Sequence, residues 1–258
     1  MKKIVSYLFI IGMLCSSIFA NVNQHNKLVE EYLDVSGQEH IYSSLPTEMA
    51  QMVEQQFVAK GEKTPAHLEA LLIEEFTRES TVEKLTENIQ LLSNDTLMKL
   101  IRFYKSNVGK KCAAMNREEG MQDVQEKLPS FAQNLQENPP SKHRIDSMNT
   151  MFNETNILTG TLEMIESMIR IFDANAPKEQ QMTEEAFNAT ISNMRTVIGN
   201  QLIITFYYSL RNFSDAEIDE VVKVTLSKEG QEETDAQISG LTAYFNLATN
   251  NIVKAVQK

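Results

Sequence analysis

The chain has 258 residues, and its 35 acidic side chains against 24 Lys and Arg give a formal net charge of −11. A protein this acidic repels nucleic acid and anionic lipid, so we expect neither of them as a partner. The sequence contains no Trp, only nine Gly and only six Pro. So few turn-forming residues favour long helices over a sheet with many tight turns.

The first twenty residues have the layout of a secretory signal peptide. Lys2 and Lys3 form a positive start, residues 4–19 are mostly apolar, and Ala20 is a small residue before the polar Asn21. That layout predicts a Sec-type signal peptide, cleavage after Ala20, and a periplasmic or secreted protein. An uncleaved N-terminal anchor is the alternative, although the apolar run is short for a membrane span. No later segment is apolar enough to cross a bilayer, so we expect no membrane span after cleavage.

Cysteine usage excludes an intramolecular disulfide in the cleaved protein. Cys15 lies in the predicted signal peptide, so only Cys112 remains. Stability must therefore come from buried apolar side chains. Because Cys112 lies just inside a predicted helix start, beside Ala113 and Ala114, we expect its thiol to be shielded on a packing face.

Apolar residues recur every three or four positions through most of the chain, which predicts amphipathic helices. Gly37 and Gly61 are helix stop signals, and Thr64-Pro65 has the pattern of an N-cap followed by a first-turn proline. Two apolar stripes follow, each with the spacing of one helix face: Val82, Leu85, Ile89 and Leu92, and then Met121, Val124, Leu128, Phe131 and Leu135.

The clearest break in the pattern is Asn138-Pro139-Pro140-Ser141, where two prolines end one helix and Ser141 can cap the next. Pro177 marks a second loop, and Thr183 precedes another helix start. Residues 202–208 are rich in Ile, Thr and Tyr and could form a strand, but helical periodicity on both sides favours a helix. Two further stripes lie in this half: Leu158, Leu162, Ile165, Ile169 and Phe172, and then Ile238, Leu241, Phe245, Ala248 and Ile252.

The two halves of the chain share a spaced pattern. Ser106-x-x-Gly109 and Ser227-x-x-Gly230 lie 121 residues apart (227 − 106). Five more positions coincide at that offset. One is a shared Ser cap, Ser93 with Ser214, and four are apolar positions in helical phase: Leu97 with Ile218, Leu100 with Val221, Ile101 with Val222, and Phe103 with Val224. We therefore predict an all-α fold of two tandem antiparallel helical units related by an internal repeat. Their bounds are residues 21–138 and 139–258, after a signal peptide at residues 1–20.

The repeated element has the pattern of a tight corner between two helices. In each half a helix ends just before the repeated Ser, whose hydroxyl can cap the next helix. Gly109 and Gly230 would then be the third residue of that next helix, where glycine costs stability. We expect another group, such as the ring of Phe103 or Tyr104, to pack against the bare Cα. The structural motif comprises Phe103, Tyr104, Ser106, Gly109, Ser214, Glu217, Ser227 and Gly230, with Ser214 and Glu217 forming a capping box.

At these residues the chain resembles a known family. The string LMKLIRFYKSNVGKK at residues 97–111 is similar to the DUF 2059 pattern of small exported bacterial domains, in which a helix ends in Phe-Tyr before Ser-Pro-x-Gly. Here Asn107 replaces the proline. Tyr208 and the Phe213-Ser214 entry to the next helix resemble the second half of that pattern, and residues 28–41 resemble its opening helix and turn. The resemblance implies a helical fold and export, and it implies no reaction.

The sequence carries no catalytic motif, and we expect no enzymatic activity. Cys112 lacks a local Cys–His motif, and G-x-S-x-G, P-loop and dinucleotide-binding patterns are absent. The four His are scattered without metal-ligand spacing, so no metal or cofactor is expected. The pairs Met49/Met52 and Met148/Met151 could hold Cu(I), but core packing is the favoured interpretation. Adjacent acids such as Glu232-Glu233 are interpreted as solvated helix faces.

Three functions remain compatible with this sequence. The first is a non-enzymatic interaction module of the bacterial envelope that binds a protein through exposed helix faces. The second is a carrier for a hydrophobic small molecule in an inter-helix cavity, lined by aromatic residues such as those at 103–104, 206–208 and 213. The third is copper binding through the Met pairs. A closed, continuous cavity lined by Phe and Met would favour the carrier, whereas a flat exposed apolar patch without a cavity would favour the interaction module.

Overall fold

The computed structural model describes residues 24–40, 78–175 and 178–256. Throughout this part of the chain the protein is helical and contains no strand, which confirms the all-α prediction. Ten α-helices are described here: α1 (24–36), α2 (Arg78–Ile89), α3 (Asn94–Tyr104), α4 (Asn107–Asn116), α5 (Glu118–Glu137), α6 (Lys142–Glu154), α7 (Ile157–Asn175), α8 (Glu184–Ser209), α9 (Asp215–Thr225) and α10 (Lys228–Val256). A short 3₁₀ turn, Lys178–Gln180, precedes α8.

Hydroxyl side chains cap the N-termini of helices at positions that the sequence predicts. Ser141 accepts a hydrogen bond from the Arg144 N–H and caps α6 after the double proline. Thr183 accepts from the Ala186 N–H and caps α8. Each of these bonds satisfies a backbone donor that has no partner within its own helix. Residues 202–208 lie inside α8, so the helical interpretation of that stretch is confirmed.

The end of α1 is also as predicted. Gly37 follows the helix with a φ of +68°, a left-handed conformation that glycine adopts without steric penalty. A Cβ at this position would lie 2.7 Å from the carbonyl oxygen of Ala113, so α4 also approaches this turn closely.

The long helix α10 joins the two halves of the chain. It packs against α2 in the first half and against α7 in the second. Ala236 and Leu241 of α10 pack on a core cluster of first-half residues: Val29, Tyr32, Leu33, Leu85, Ile89, Leu92, Leu97, Leu100, Ile101, Tyr104 and Ala113. The halves therefore share a core.

A second cluster joins α4 to α6, to α9 and to the turn between α8 and α9. It contains Val108, Met148, Met151, Leu210, Phe213 and Ile218. Met148 and Met151 are 1% and 0% exposed, so both thioethers are surrounded by apolar side chains. This environment is that of core methionines that fill space between helices.

The two halves differ in the helix that follows the corner. In the first half, Arg117 has an extended backbone (ψ 163°) and separates α4 from α5. In the second half, α10 runs through the corresponding point without a break. As a result α5 is a separate element, and it packs against α8.

Some predicted features lie outside the described residues. These are the signal peptide at residues 1–20, the Gly61 and Thr64-Pro65 signals, the Met49/Met52 pair and Pro177. Among the helices that are described, none has the length and apolar content required to cross a bilayer.

Candidate functional site: two helix corners and an inter-helix cavity

The two predicted corners have the same local geometry. Helices α3 and α9 each contain 11 residues and begin after Ser93 and Ser214. The Gly109 N–H donates to Ser106 Oγ over 3.1 Å. The Gly230 N–H donates to its own capping serine over the same distance, 3.1 Å.

Glycine is required at both corners by a close approach of backbone rather than of an aromatic ring. A Cβ on Gly109 would lie 2.0 Å from the carbonyl oxygen of Phe103 and 2.6 Å from the Cα of Tyr104. A Cβ on Gly230 would lie 2.1 Å from the carbonyl oxygen of Val224. The expected contact with the ring of Phe103 or Tyr104 is therefore wrong in detail. The last turn of the preceding helix occupies that space because only two residues separate the helices at each corner.

The capping box of α9 carries an additional contact between the halves. Glu217 accepts from the Ser214 backbone N–H over 2.8 Å, and the Ser214 hydroxyl caps the Glu217 N–H. Lys111 of α4 lies 2.6 Å from the same carboxylate. The Lys111 ammonium and the cap together lower the pKa of Glu217 to about 2.

A cavity of about 890 Å³ lies between the helices of the two halves. It is bounded by α3, α4 and α5 of the first half and by α8, α9 and α10 of the second. Its apolar lining consists of Phe103, Met115, Val124, Leu128, Pro129, Ile157, Leu202, Phe206, Leu210, Phe213, Val221 and Val224. This volume and this composition are those of pockets that hold small molecules.

The cavity also contains a buried carboxyl group. Glu233 of α10 is 8% exposed, and its Oε1 accepts hydrogen bonds from the hydroxyls of Tyr32 (2.5 Å) and Tyr104 (2.8 Å). Burial raises the pKa of Glu233, while the two phenol donors partly offset that rise. Gln237 donates to the Tyr32 oxygen over 3.2 Å and so extends the network.

Cys112 lines the same cavity. Its side chain packs against both core clusters but is only half-buried. Burial and the nearby acidic groups Glu233 and Glu220 raise the pKa of the thiol to about 12. The expectation of a thiol on a packing face agrees with this placement, while the partial exposure leaves it open to the cavity.

The predicted motif residues divide into two sets. Phe103, Tyr104 and Gly230 line the cavity. The capping residues Ser106, Ser214, Glu217 and Ser227, together with Gly109, form the corners that hold its helices in place.

The most polar part of the site was not identified from the sequence. Glu232-Glu233 was interpreted as a solvated pair, and this is wrong for Glu233, because α1 and α3 cover it with Tyr32 and Tyr104. Glu232 accepts from the Thr96 hydroxyl over 2.7 Å. One sequence signal pointed to the burial of Glu233. At the repeat offset of 121 it corresponds to Cys112, where the first half has a small, weakly polar side chain.

No cluster of three or more His, Cys, Asp or Glu with the geometry of a metal site occurs among the described residues. Comparison of the chain with protein-family models, with curated proteins and with solved structures gave no match.

Proposed function

We propose that this protein is an exported helical carrier that binds a hydrophobic small molecule in the cavity between its two halves. The observation that carries the proposal is the cavity itself, which combines about 890 Å³ of mostly apolar space with one buried carboxyl group. A pocket that is apolar over most of its wall and polar at a few points both stabilises and orients a ligand.

Export is the second part of the proposal, and it rests on the Lys2/Lys3 start, the apolar run and Ala20. The resemblance to the DUF 2059 pattern points in the same direction, because that pattern belongs to exported helical domains. A hydrophobic molecule is poorly soluble in the aqueous envelope, so a carrier would have a role there.

We also propose that the halves arose from one duplicated helical unit. The proposal is supported by the equal lengths of α3 and α9 and by the matching Ser–Gly bonds at 3.1 Å in the two corners. The break at Arg117 in the first half would then be a later difference, and it gives the cavity a wall, α5, that the second half does not supply.

The interaction module remains the second candidate. Four large apolar side chains are exposed among the described residues, on different helices or turns: Leu91, Met98, Val197 and Leu247. Scattered apolar side chains of this kind are normal on protein surfaces. The cavity therefore favours the carrier over the interaction module.

The carrier function is tested by what the protein holds when it is purified. The full chain would be isolated from its native host without detergent and analysed by native mass spectrometry and by organic extraction. We expect a bound apolar compound of low molecular mass. Protein isolated repeatedly without such a compound, and unable to take up an apolar fluorescent probe, would contradict the proposal.

A matched pair of variants links the ligand to the cavity. Thr205 lines the cavity and Thr196 is an exposed threonine of the same helix, α8. Thr205→Phe should fill part of the cavity and reduce probe uptake, whereas Thr196→Phe should leave uptake unchanged. Equal uptake by both variants would place the probe elsewhere on the protein.

A further inference from the structure

From the residues that the structure describes, the cavity offers its ligand one acidic group and no basic group. In the part of the chain that the structure describes, Glu233 is the only lining residue with an acidic or basic side chain that is ordinarily charged, and no Lys, Arg or His contributes to the wall. The remaining polar lining consists of neutral groups: Gln38, Tyr104, Cys112, Asn116, Gln201, Thr205, Ser209, Thr225, Thr234 and Gln237. Among the described lining residues, one carboxyl group thus sets the electrostatic character of the cavity.

The two oxygens of that carboxyl group differ in their surroundings. Oε1 accepts from both Tyr32 and Tyr104, whereas Oε2 receives no hydrogen bond from the described residues. Oε2 is not among the enclosed side-chain oxygens that lack a partner, so it stays accessible on the cavity side, and a carboxylate oxygen can accept two hydrogen bonds. A donor on a ligand in the cavity can therefore reach Oε2.

We propose that the ligand is a cationic amphiphile, with an ammonium head group that donates to Oε2 of Glu233 and an apolar chain that extends along Phe206, Val221 and Val224. This inference rests on the carrier function proposed above and names the class of its ligand. An ammonium group supplies both a hydrogen-bond donor and the opposite charge, and such charge-assisted bonds are stronger than neutral ones.

The same geometry disfavours an anionic amphiphile such as a fatty acid. A carboxylate head would meet Glu233 without a basic residue among the described lining residues to neutralise either charge, and repulsion between like charges is strong where water is excluded. The net charge of −11 acts in the same sense, because it attracts cations and repels anions at long range.

The test compares three probes that share one chain and differ in their head groups: dodecylamine, dodecanol and dodecanoate. Each is titrated into the full chain by calorimetry below its aggregation concentration. We expect the amine to bind about tenfold more tightly than the alcohol, the effect of one charge-assisted hydrogen bond. Dodecanoate should bind most weakly of the three.

Two variants distinguish binding of the head group to Glu233 from binding of the apolar chain in the cavity. Glu233→Gln should lower the affinity for the amine about tenfold and leave the affinity for the alcohol unchanged. Glu126→Gln removes the same charge from an exposed position on α5 and should change neither affinity. If surface charge alone attracts the amine, the two variants behave alike and the head-group proposal is wrong.

A measurement on the unaltered protein covers the case in which Glu233→Gln does not fold. The preference for amine over alcohol should fall as the pH is lowered and Glu233 takes up a proton. Tyr32, Tyr104 and Cys112 face the same carboxyl group, and burial raises the pKa of all three, so they stay neutral over that range. A preference that is constant with pH would contradict the proposal.

The outcomes distinguish the two proposals. Equal binding of amine, alcohol and carboxylate, each abolished by Thr205→Phe, would overturn the cationic head group and leave the carrier function standing. Binding of none of the three probes would overturn both.

Discussion

The Tyr104 hydroxyl donates a hydrogen bond of 2.8 Å to Oε1 of Glu233 and so connects the corner of the first half to the long helix of the second. Tyr104 is the last residue of α3, three positions after the buried Ile101 and two before the capping Ser106. The corner therefore determines where this phenol lies, and the phenol determines how Glu233, the one acidic side chain among the described lining residues, is held.

Removing this donor should weaken the folded protein. Tyr104→Phe leaves Glu233 with one phenol donor and a larger uncompensated burial cost, so we expect a loss of about 1–3 kcal/mol in the free energy of unfolding. Urea midpoints at neutral pH measure it. Tyr207→Phe is the control, since that half-buried hydroxyl makes no hydrogen bond to the described residues. A loss as large in the control would show that removal of a phenol hydroxyl in general, and not of the bond to Glu233, is responsible.

The contribution of Glu233 to the free energy of unfolding should fall as the pH rises. Burial raises the pKa of Glu233 above its ordinary value of 4.5, so the folded protein holds this proton more tightly than the unfolded chain does. The stabilising contribution is complete below pH 4.5 and is lost as the pH rises through the folded-state pKa. Glu233→Gln lacks this loss, and its stability relative to the unaltered protein should therefore increase as the pH rises above 4.5.

Other carboxyl groups give the free energy of unfolding a pH dependence of the opposite sign, and that contribution must be subtracted. Glu217 has a lowered pKa of about 2, so its contribution is lost as the pH falls below about 4.5. Because both proteins contain Glu217, the difference between their unfolding free energies isolates Glu233. A difference that does not change with pH would contradict the raised pKa.

The glycines of the two corners should tolerate no side chain. Gly109→Ala and Gly230→Ala each place a Cβ within about 2 Å of a backbone carbonyl oxygen, so the corner must shift. We expect each to cost about 1–3 kcal/mol or more in stability, as overpacking does. Ser106→Ala, which removes only the cap, should cost about 1 kcal/mol.

A third glycine provides the matched control. Gly199 lies in α8, and a Cβ there would meet the nearest Leu158 atom at 3.8 Å, an ordinary contact. Gly199→Ala should therefore be neutral or stabilising by about 0.5–1 kcal/mol, because alanine favours the helix. Stabilised Gly109→Ala protein would show that the corner relaxes without cost and would remove the reason for a glycine there.

The thiol of Cys112 should report on the cavity. With a pKa raised to about 12, it carries almost no thiolate at pH 8, so iodoacetamide should react with the folded protein far more slowly than with the urea-unfolded chain. An occupied cavity should slow the reaction further, since Cys112 lines it. Rapid labelling of the folded protein, or a reducible dimer on a gel, would contradict this placement.

The features that the sequence predicted correctly are local. Helix spacing, the caps at Ser141 and Thr183, and the left-handed turn at Gly37 each depend on residues within about one helical turn of one another. The positions of Ser106 and Ser227 were predictable for the same reason, because a serine hydroxyl accepts from a backbone N–H three residues further on.

The features that the sequence did not reveal depend on distant parts of the chain. Glu233 is 201 residues from Tyr32, and nothing near Glu233 distinguishes it from the partly solvated Glu232. The break at Arg117 carries neither proline nor glycine. The cavity exists only because α5 and α8 pack against each other while α10 packs against α2 and α7. Sequence determined the helices and their corners, since those are short-range hydrogen-bond patterns, whereas only the packing of helices from both halves decided which acidic side chain is buried and where apolar space remains unfilled.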